Sequence, residues 1–174
     1  MICIKKIVST FAVLALLTGV SYGQTTATQK FKVTVPSNIS ITAPGDVSLT
    51  HDQTDNDQSF PAQAWVVKGN TSAGVAVSFA TATAFVHTVD SQFKRDATLG
   101  LALASNQGPA AWTISTASDS TDYANLDGVA TVAASSDGVG SANFDLTVTF
   151  VTDGFGTFAS GDYETTVTGT VTAN

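Results

Sequence analysis

The closing stretch YETTVTGTVTA, from Tyr163 to Ala173, alternates with a period of two. One side carries Tyr163, Thr165, Val167, Gly169, Val171 and Ala173, whereas the other carries Glu164 followed by four threonines. Successive side chains of a β-strand point to opposite faces of the sheet. The pattern therefore predicts a strand with one half-buried face at the end of the chain.

The same alternation recurs through most of the sequence from Phe31 onward. The predicted strands are Phe31–Val35, Ile39–Ile41, Val47–Leu49, Trp65–Val67, Val75–Phe79, Phe85–Val89, Leu99–Leu103, Trp112–Ile114, Val129–Ala133 and Phe144–Phe150. Polar and Gly/Pro-rich turns separate them, and one helical turn is expected around Tyr123–Leu126. About eight to ten short strands with turns between them indicate an all-β, antiparallel sandwich or barrel.

The first 23 residues have the layout of a secretory signal peptide. Lys5 and Lys6 precede a mostly apolar run from Ile7 to Val20, and the small residues Ser21 and Gly23 stand at the −3 and −1 positions of the expected cleavage point after Gly23. The run is too short to predict a stable membrane span. We therefore expect a signal peptide at 1–23 and a single β-sandwich domain at 24–174, secreted or held at the cell surface or in the periplasm.

Signal removal leaves an acidic chain without a thiol. The predicted mature chain has five basic and 14 acidic residues, a net charge of −9. Nucleic acids and anionic membranes are recognised by clustered Lys and Arg, so neither is an expected partner. The only cysteine, Cys3, lies in the predicted signal peptide, which excludes a disulfide within the mature chain.

No catalytic set stands out from the sequence. The mature chain has two histidines, His51 and His87, and one glutamate, Glu164, and no elbow motif marks any of its many serines as a nucleophile. We expect His87 to be a half-buried, hydrogen-bonded strand residue. The prediction is a protein that is not an enzyme, with no catalytic and no cofactor-binding residues; a histidine-based secreted hydrolase is the alternative.

Acidic loops offer candidate calcium ligands. Asp52, Asp55 and Asp57 place three carboxylates within six residues, the kind of oxygen ligand that Ca²⁺ prefers. Asp119, Asp122 and Asp127 form a looser second group. The spacing departs from an EF-hand loop, and solvated acidic loops are the competing interpretation. No cofactor other than calcium is considered.

Exposed aromatic rings are the usual platform of secreted sugar-binding modules. The candidates for stacking on a sugar are Trp65, Trp112, Tyr123 and Tyr163. Tryptophan in a sandwich is more often part of the core, so surface glycans are a weaker alternative partner. A secreted carbohydrate- or calcium-binding β-sandwich module is accordingly the alternative function.

The segment Gly161–Thr172, GDYETTVTGTVT, resembles the terminal strand of bacterial exported surface subunits of the fimbrial and spore-coat type. The Phe144–Phe150 strand and the Gly154–Gly156 turn before it resemble the rest of a terminal hairpin. The resemblance, over the last 35 residues, implies an Ig-like β-sandwich that serves as a surface or filament subunit. Together with residues 1–23, the expected fold is an Ig-like β-sandwich preceded by a cleavable signal-peptide helix. The chain departs from many such subunits because its mature part has no disulfide.

The predicted mature N-terminus is a further strand candidate. Gln24–Val35 starts uncharged and leads into the alternating FKVTV of Phe31–Val35, so it can add to an open sheet edge of a neighbouring molecule. In the competing interpretation, Phe31–Val35 is the first strand of the domain itself. We expect a non-enzymatic exported surface protein, a structural or adhesive subunit of a filament, coat or matrix, that self-associates through this segment or through sheet edges.

Overall fold

The computed structural model describes Gly23, residues 25–154 and residues 156–174. The signal-peptide prediction falls, apart from Gly23, outside these residues. Within them the chain is all-β with antiparallel pairing, as predicted, and has one short 3₁₀ helix at Tyr123–Asn125. The strands are β1 Ile39–Thr42, β2 Gln58–Ser59, β3 Gln63–Gly69, β4 Val75–Thr81, β5 Phe85–His87, β6 Lys94–Arg95, β7 Ala97–Gln107, β8 Trp112–Thr116, β9 Ser118–Ser120, β10 Thr131–Ser136, β11 Gly140–Phe150, β12 Tyr163–Glu164 and β13 Val167–Ala173.

The strands form two large sheets and one small one. The first sheet has the order β1-β3-β11-β7-β9, with β2 beside β11; the second has the order β13-β4-β10-β8. A small third sheet has the order β12-β5-β6. Chain neighbours often lie in different sheets: β10 and β11 do so on either side of the Asp137-Gly138 turn, and β11, β12 and β13 belong to three different sheets. The predicted terminal hairpin is therefore wrong.

Both large sheets contribute alternate side chains to one apolar core. Phe79 of β4 packs edge-on against Trp65 of β3, with ring centroids 5.2 Å apart, and against Phe144 of β11 at 6.1 Å. Edge-to-face contacts of this kind add to the free energy gained from burial alone. The remaining core residues are aliphatic or alanine: Val67, Val75, Val77, Leu99, Leu101, Ala130, Val132, Ala134, Ala142 and Leu146.

A second, mostly aromatic cluster lies beside the small sheet. Phe85 and Phe150 pack edge-on at 5.2 Å, Tyr163 packs on Phe150 at 5.6 Å, and Phe60 stacks parallel to Phe85 at 6.2 Å. Phe150 ends β11, and its strand neighbour Val148 contacts both clusters. The aromatic cluster therefore continues the core of the large sheets toward the small one.

The predicted phase of one strand was wrong. The alternation was assigned to Val129, Thr131 and Ala133, but the buried residues are Ala130, Val132 and Ala134, and Val129 is exposed. Both phases of this stretch consist of small or β-branched residues, so hydrophobicity alone does not choose between them. The pairing of β10 with β4 decides between the two faces. It places Val132 opposite the buried Phe79, so the side chain of Val132 points into the core.

The closing segment is two strands and not one. Tyr163 and Glu164 pair with β5, whereas Val167–Ala173 pair with β4 in a different sheet. The predicted sides are nonetheless right for β13, where Val167 and Val171 pack against the core. The change of sheet takes place at Thr165 and Thr166, which belong to neither strand.

Two predicted strands do not form. Val47 and Leu49 lie in an irregular segment with exposed side chains, and Phe31–Val35 has no strand partner in the described part of the chain. The chain divides into two units, residues 1–34 and residues 35–174, and every strand of the described residues belongs to the second. In the first unit, residues 25–34 have no regular secondary structure and are exposed. No helix of the described residues has the length and apolar character needed to cross a bilayer.

Candidate functional site

The first sheet has an incomplete edge. The β1 pairing with β3 begins at Ile39 opposite Gly69 and ends at Thr42 opposite Val66. Pro44 and Gly45 follow, and the chain leaves the sheet because proline cannot donate to a ladder. Gln63–Trp65, the first part of β3, therefore has no strand partner on this side within the described residues, although it pairs with β11 on the other.

An open groove of about 440 Å³ lies where β1 ends. Its apolar floor consists of Phe60, Trp65, Phe85, Leu146 and Val148, and its walls are residues 43–47 and 163–167, with Gln63 between them. We call this space the edge groove. Three of its floor residues, Trp65, Phe85 and Leu146, are buried core residues.

A second space of about 810 Å³ adjoins the edge groove and shares Val47, Phe60, Phe85, Tyr163 and Glu164 with it. Its other walls are residues 48–51 and 158–162. The two spaces are continuous and both run along the aromatic cluster. The irregular segment that follows β1 lines both of them.

The groove is acidic at its rim. Asp46 and Glu164 line the edge groove, and Asp162 lines the adjoining space. None of the described residues that line either space is Lys or Arg. A partner that combines apolar side chains with positive charge would match this surface.

His51 is held by hydrogen bonds at both ring nitrogens. Its Nδ1 accepts from the backbone N–H of Gln53 at 2.9 Å, so Nε2 carries the proton and donates to Thr152 Oγ1 at 3.0 Å. The Thr152 hydroxyl donates in turn to the carbonyl of Asn56 at 2.6 Å. His51 therefore ties its loop to the end of β11.

His87 has a similar arrangement at a more buried position in β5. Its Nδ1 accepts from the backbone N–H groups of Val89 and Asp90, at 3.2 Å and 3.0 Å, and its Nε2 donates to the carbonyl of Ser160 at 3.2 Å. Its ring packs edge-on against Tyr163 at 5.1 Å. Both histidines therefore use both ring nitrogens to fix loops.

Two of the three aspartates of the first acidic loop, Asp52 and Asp57, accept hydrogen bonds from separate partners. Asp52 Oδ1 accepts from the Thr54 hydroxyl at 2.6 Å, the Thr54 N–H at 2.9 Å and Gln58 Nε2 at 2.9 Å. These bonds, the Thr54 hydroxyl first among them, hold the pKa of Asp52 below its ordinary value of 3.8. Asp57 Oδ1 accepts from the N–H of Thr152 at 2.9 Å, and Asp55 lies between them in sequence.

The second acidic group is likewise spread over local bonds. Asp119 Oδ2 accepts from the N–H of Thr131 at 2.7 Å, and Asp122 caps the 3₁₀ helix by accepting from Asn125 at 3.1 Å. The N–H of Asp127 donates to the carbonyl of Asp122 at 2.9 Å. In the described part of the chain, no three His, Cys, Asp or Glu side chains come together as a metal site.

The candidate sugar-stacking rings are engaged within the fold. Trp65 is only 8% exposed, and Trp112 is half-buried with its ring 5.5 Å from that of Phe144. The Tyr123 hydroxyl accepts from Arg95 at 3.1 Å, and the Tyr163 hydroxyl accepts from the N–H of Ala159 at 3.0 Å. Trp65 is buried, and Trp112, Tyr123 and Tyr163 are half-buried.

Arg95 of β6 is a buried residue for which the sequence predicts no role. Its guanidinium donates to the carbonyl of Thr157 and to the Tyr123 hydroxyl, and lies 5.7 Å from the centre of the Phe158 ring. It joins the loop after β11 to the loop after β9. Its position depends on contacts far apart in sequence, so no local signal predicted it.

Comparison with known proteins adds no assignment: no family model matches the chain, and no similar curated protein or solved structure is found. The function is therefore argued from the edge groove and from the exposed surfaces of the described residues.

Proposed function

We propose that this chain is a non-enzymatic exported surface protein, a structural or adhesive subunit of a filament, coat or matrix, that self-associates through its N-terminal segment. The observation that carries the proposal is the exposure of Phe31, Val33 and Val35, at 82%, 87% and 76%. These three residues alternate with polar ones in a stretch that has no strand partner among the described residues.

Apolar side chains in strand alternation favour burial against a sheet. Singly exposed apolar residues are common on protein surfaces, but three that share one face of an extended stretch are the pattern of a segment that adds to a sheet. An intermolecular contact buries them and pairs their backbone at once. This supports a role in assembly over a role as an independent monomer.

The side chains that a hydrolase would need are otherwise occupied. Both ring nitrogens of His51 and of His87 are used in hydrogen bonds that fix loops. A general base requires a free nitrogen within reach of its substrate. This supports the non-enzymatic interpretation, and no contact of the described residues specifically favours the carbohydrate- or calcium-binding alternative.

Two finer parts of the proposal rest on the sequence. The basic start, apolar run and small residues of 1–23 support export, with cleavage after Gly23. The resemblance of Gly161–Thr172 to fimbrial and spore-coat-type subunits supports an Ig-like arrangement of the two large sheets. Both are consistent with a subunit that works outside the cytoplasm.

Cell fractionation combined with sedimentation velocity tests the proposal. Protein expressed from its full-length gene in a bacterial host is expected in the envelope or the medium, starting at Gln24. Its sedimentation coefficient is expected to rise with protein concentration. A product that stays in the cytoplasm, or one that remains monomeric at every concentration up to the millimolar range, would refute it.

A further inference from the structure

We propose that the adjoining space binds a small organic ammonium ion, a cation whose nitrogen carries methyl or methylene groups. This inference concerns a ligand site and does not rest on the proposed self-association. It follows from three features of the described residues: the size of the space, the aromatic rings that line it, and two carboxylates at its rim that have no basic partner.

The adjoining space has the dimensions of a ligand site. Its volume of about 810 Å³ lies within the range of small-molecule sites, roughly 300–1,000 Å³. Val47 and Leu49 line it and are 48% and 42% exposed, so both apolar side chains are open to a ligand. Sites of this kind combine apolar and aromatic walls with a few polar groups that fix the orientation of the ligand. The composition of the space is therefore that of a site for a small molecule.

Three half-buried aromatic residues of this wall, Phe60, Phe158 and Tyr163, are in part open to solvent. Phe60 stacks parallel to the buried Phe85 at 6.2 Å. Phe158 and Tyr163 pack edge-on against the buried Phe150, at 6.2 Å and 5.6 Å. The face of an aromatic ring is electron-rich and attracts a cation within about 6 Å of its centre. The buried rings thus hold in place the rings that a cation can reach.

The rim of the adjoining space is negatively charged. Asp162 and Glu164 line it and are exposed, and neither forms an ion pair with a Lys or Arg of the described residues. A cleft lined by one sign of charge attracts ligands of the opposite sign. The carboxylates therefore favour a cation over an anion or a neutral compound in this space.

The buried Arg95 already uses one ring of the wall. Its guanidinium lies 5.7 Å from the centre of the Phe158 ring, but Arg95 is not among the described residues that line the space. Because Phe158 is in contact with this cation, we expect a bound ammonium ion to contact Phe60 and Tyr163 instead. These two rings and the two carboxylates are the binding residues of the proposed site.

Rings and carboxylates together select an alkylated ammonium ion among the small cations. A primary ammonium group is compact and strongly hydrated, so it loses much solvation on entering an aromatic site. An alkylated ammonium ion presents apolar groups to the rings and keeps its positive charge for the carboxylates. Phosphocholine adds a phosphate that the acidic rim repels. The expected ligand is therefore a free ammonium compound and not a zwitterionic lipid headgroup.

A titration with choline, followed by NMR of the isotope-labelled protein expressed from its full-length gene, tests the site. Choline is expected to bind with a Kd in the millimolar range and to shift the amide signals of residues 47–51 and 158–164. Dimethylbutanol, its uncharged isostere, and phosphocholine are each expected to bind about tenfold more weakly. The proposal is overturned if either compound binds as tightly as choline, if the shifted signals lie elsewhere, or if choline shifts none.

Substitution of the rim carboxylates examines the role of charge. Asp162→Asn with Glu164→Gln is expected to raise the Kd for choline about tenfold, since two attractive charges are lost. Asp127→Asn with Asp153→Asn is the matched control, because both residues are exposed, lie outside the space and change the net charge equally. Equal Kd values for the two double variants overturn the proposal.

Substitution of one ring examines the aromatic contact. Phe60→Leu keeps an apolar side chain but is expected to raise the Kd for choline about three- to fivefold, since the cation–π attraction is lost. Phe93→Leu is the control, because Phe93 is 40% exposed and lies outside the space. An unchanged Kd for folded Phe60→Leu overturns the proposal. If Phe60→Leu does not fold, the carboxylate variants decide, because they alter only exposed side chains.

Discussion

Gly169 of β13 lies directly against the indole ring of Trp65. A Cβ atom added at position 169 would stand 2.7 Å from Trp65 Cζ3 and 2.7 Å from Ile41 Cδ1. Strand β13 belongs to the second sheet, whereas Trp65 and Ile41 belong to β3 and β1 of the first. The absence of a side chain at this one position therefore allows the two large sheets to approach at the edge that carries the groove.

Gly169→Ala is expected to destabilise the fold by about 1–3 kcal/mol, because the added methyl group overpacks the contact with Trp65 and Ile41. Gly128→Ala is the matched control, since a Cβ there meets nothing within 4 Å. Urea unfolding followed by tryptophan fluorescence gives both free energies. Equal stability of the two variants would show that the sheets have room at position 169.

His87 is expected to be a structural residue whose loss loosens the loop after β5. His87→Ala removes the acceptor for the N–H groups of Val89 and Asp90, and the donor to Ser160. The expected loss of stability is about 2–4 kcal/mol, from unpaired polar groups and a buried cavity. Gln92→Ala, exposed in the same loop, is the control. A change within about 0.5 kcal/mol in urea unfolding would contradict this role.

Asp52 is expected to make stability depend on pH in the acid range. Its folded pKa is below 3.8, so it binds a proton more weakly in the folded than in the unfolded chain. The contribution of Asp52 to the free energy of unfolding is therefore fully present above its pKa in the unfolded chain. It is lost as the pH falls through the lower pKa of the folded chain.

Melting temperatures of the protein and of Asp52→Asn, measured from pH 7 down to pH about 2, check this linkage. The unaltered protein is expected to melt higher near neutral pH, and the difference is expected to shrink below pH about 4. Thr54→Val removes the hydroxyl that lowers the pKa of Asp52 most and is expected to reduce the difference. A difference in melting temperature that stays constant from pH 7 to pH about 2 would show that Asp52 does not cause the pH dependence.

The sequence predicted the strands whose alternation is strong and local. Phe144, Leu146 and Phe150 are buried on one face as expected, because large apolar residues alternate with polar ones there. The phase of β10 was missed, because both faces of Val129–Ala134 read as small or β-branched and only the pairing with β4 decides between them. The local sequence pattern therefore predicted where the strands lie but not which face of each strand is buried.

The edge groove was beyond prediction from the sequence. It depends on β1 ending at Thr42 while its partner β3 continues to Gln63, and on β12 and β13 belonging to different sheets. These strand pairings join segments that are distant in sequence, whereas the alternation of apolar and polar residues gives information only about residues adjacent in sequence. The Pro44-Gly45 break was visible, but the core residues that line the groove beside it, such as Trp65 and Leu146, depend on the topology.

The pattern of Phe31–Val35 predicted an extended segment but not its partner. Alternation is the same whether a strand pairs within its own domain or with another molecule, so it left both interpretations open. The exposure of Phe31 and Val33 supports the proposal that the segment pairs with another molecule. The charges beside them provide a separate way to test it.

Lys30 and Lys32 are expected to strengthen self-association through charge. Replacing both with Gln removes the positive charges of residues 24–35 but keeps all three apolar side chains, so the acidic remainder of a neighbouring copy loses its attraction for the segment. At low salt the dissociation constant for self-association is expected to rise about three- to tenfold, the range for a few exposed ion pairs.

Salt provides the control within the same experiment. Screening shortens the range of exposed charges to about 10 Å at 0.1 M ionic strength, so the unaltered protein is expected to associate more weakly as salt increases, and the Lys30→Gln, Lys32→Gln variant is expected to respond much less. Lys94→Gln, which changes an exposed lysine outside the groove, keeps the original salt response. Sedimentation velocity at several salt concentrations measures all three proteins. If the Lys30→Gln, Lys32→Gln variant and Lys94→Gln lose affinity equally, the attraction comes from the net charge of the protein and not from the lysines of the N-terminal segment.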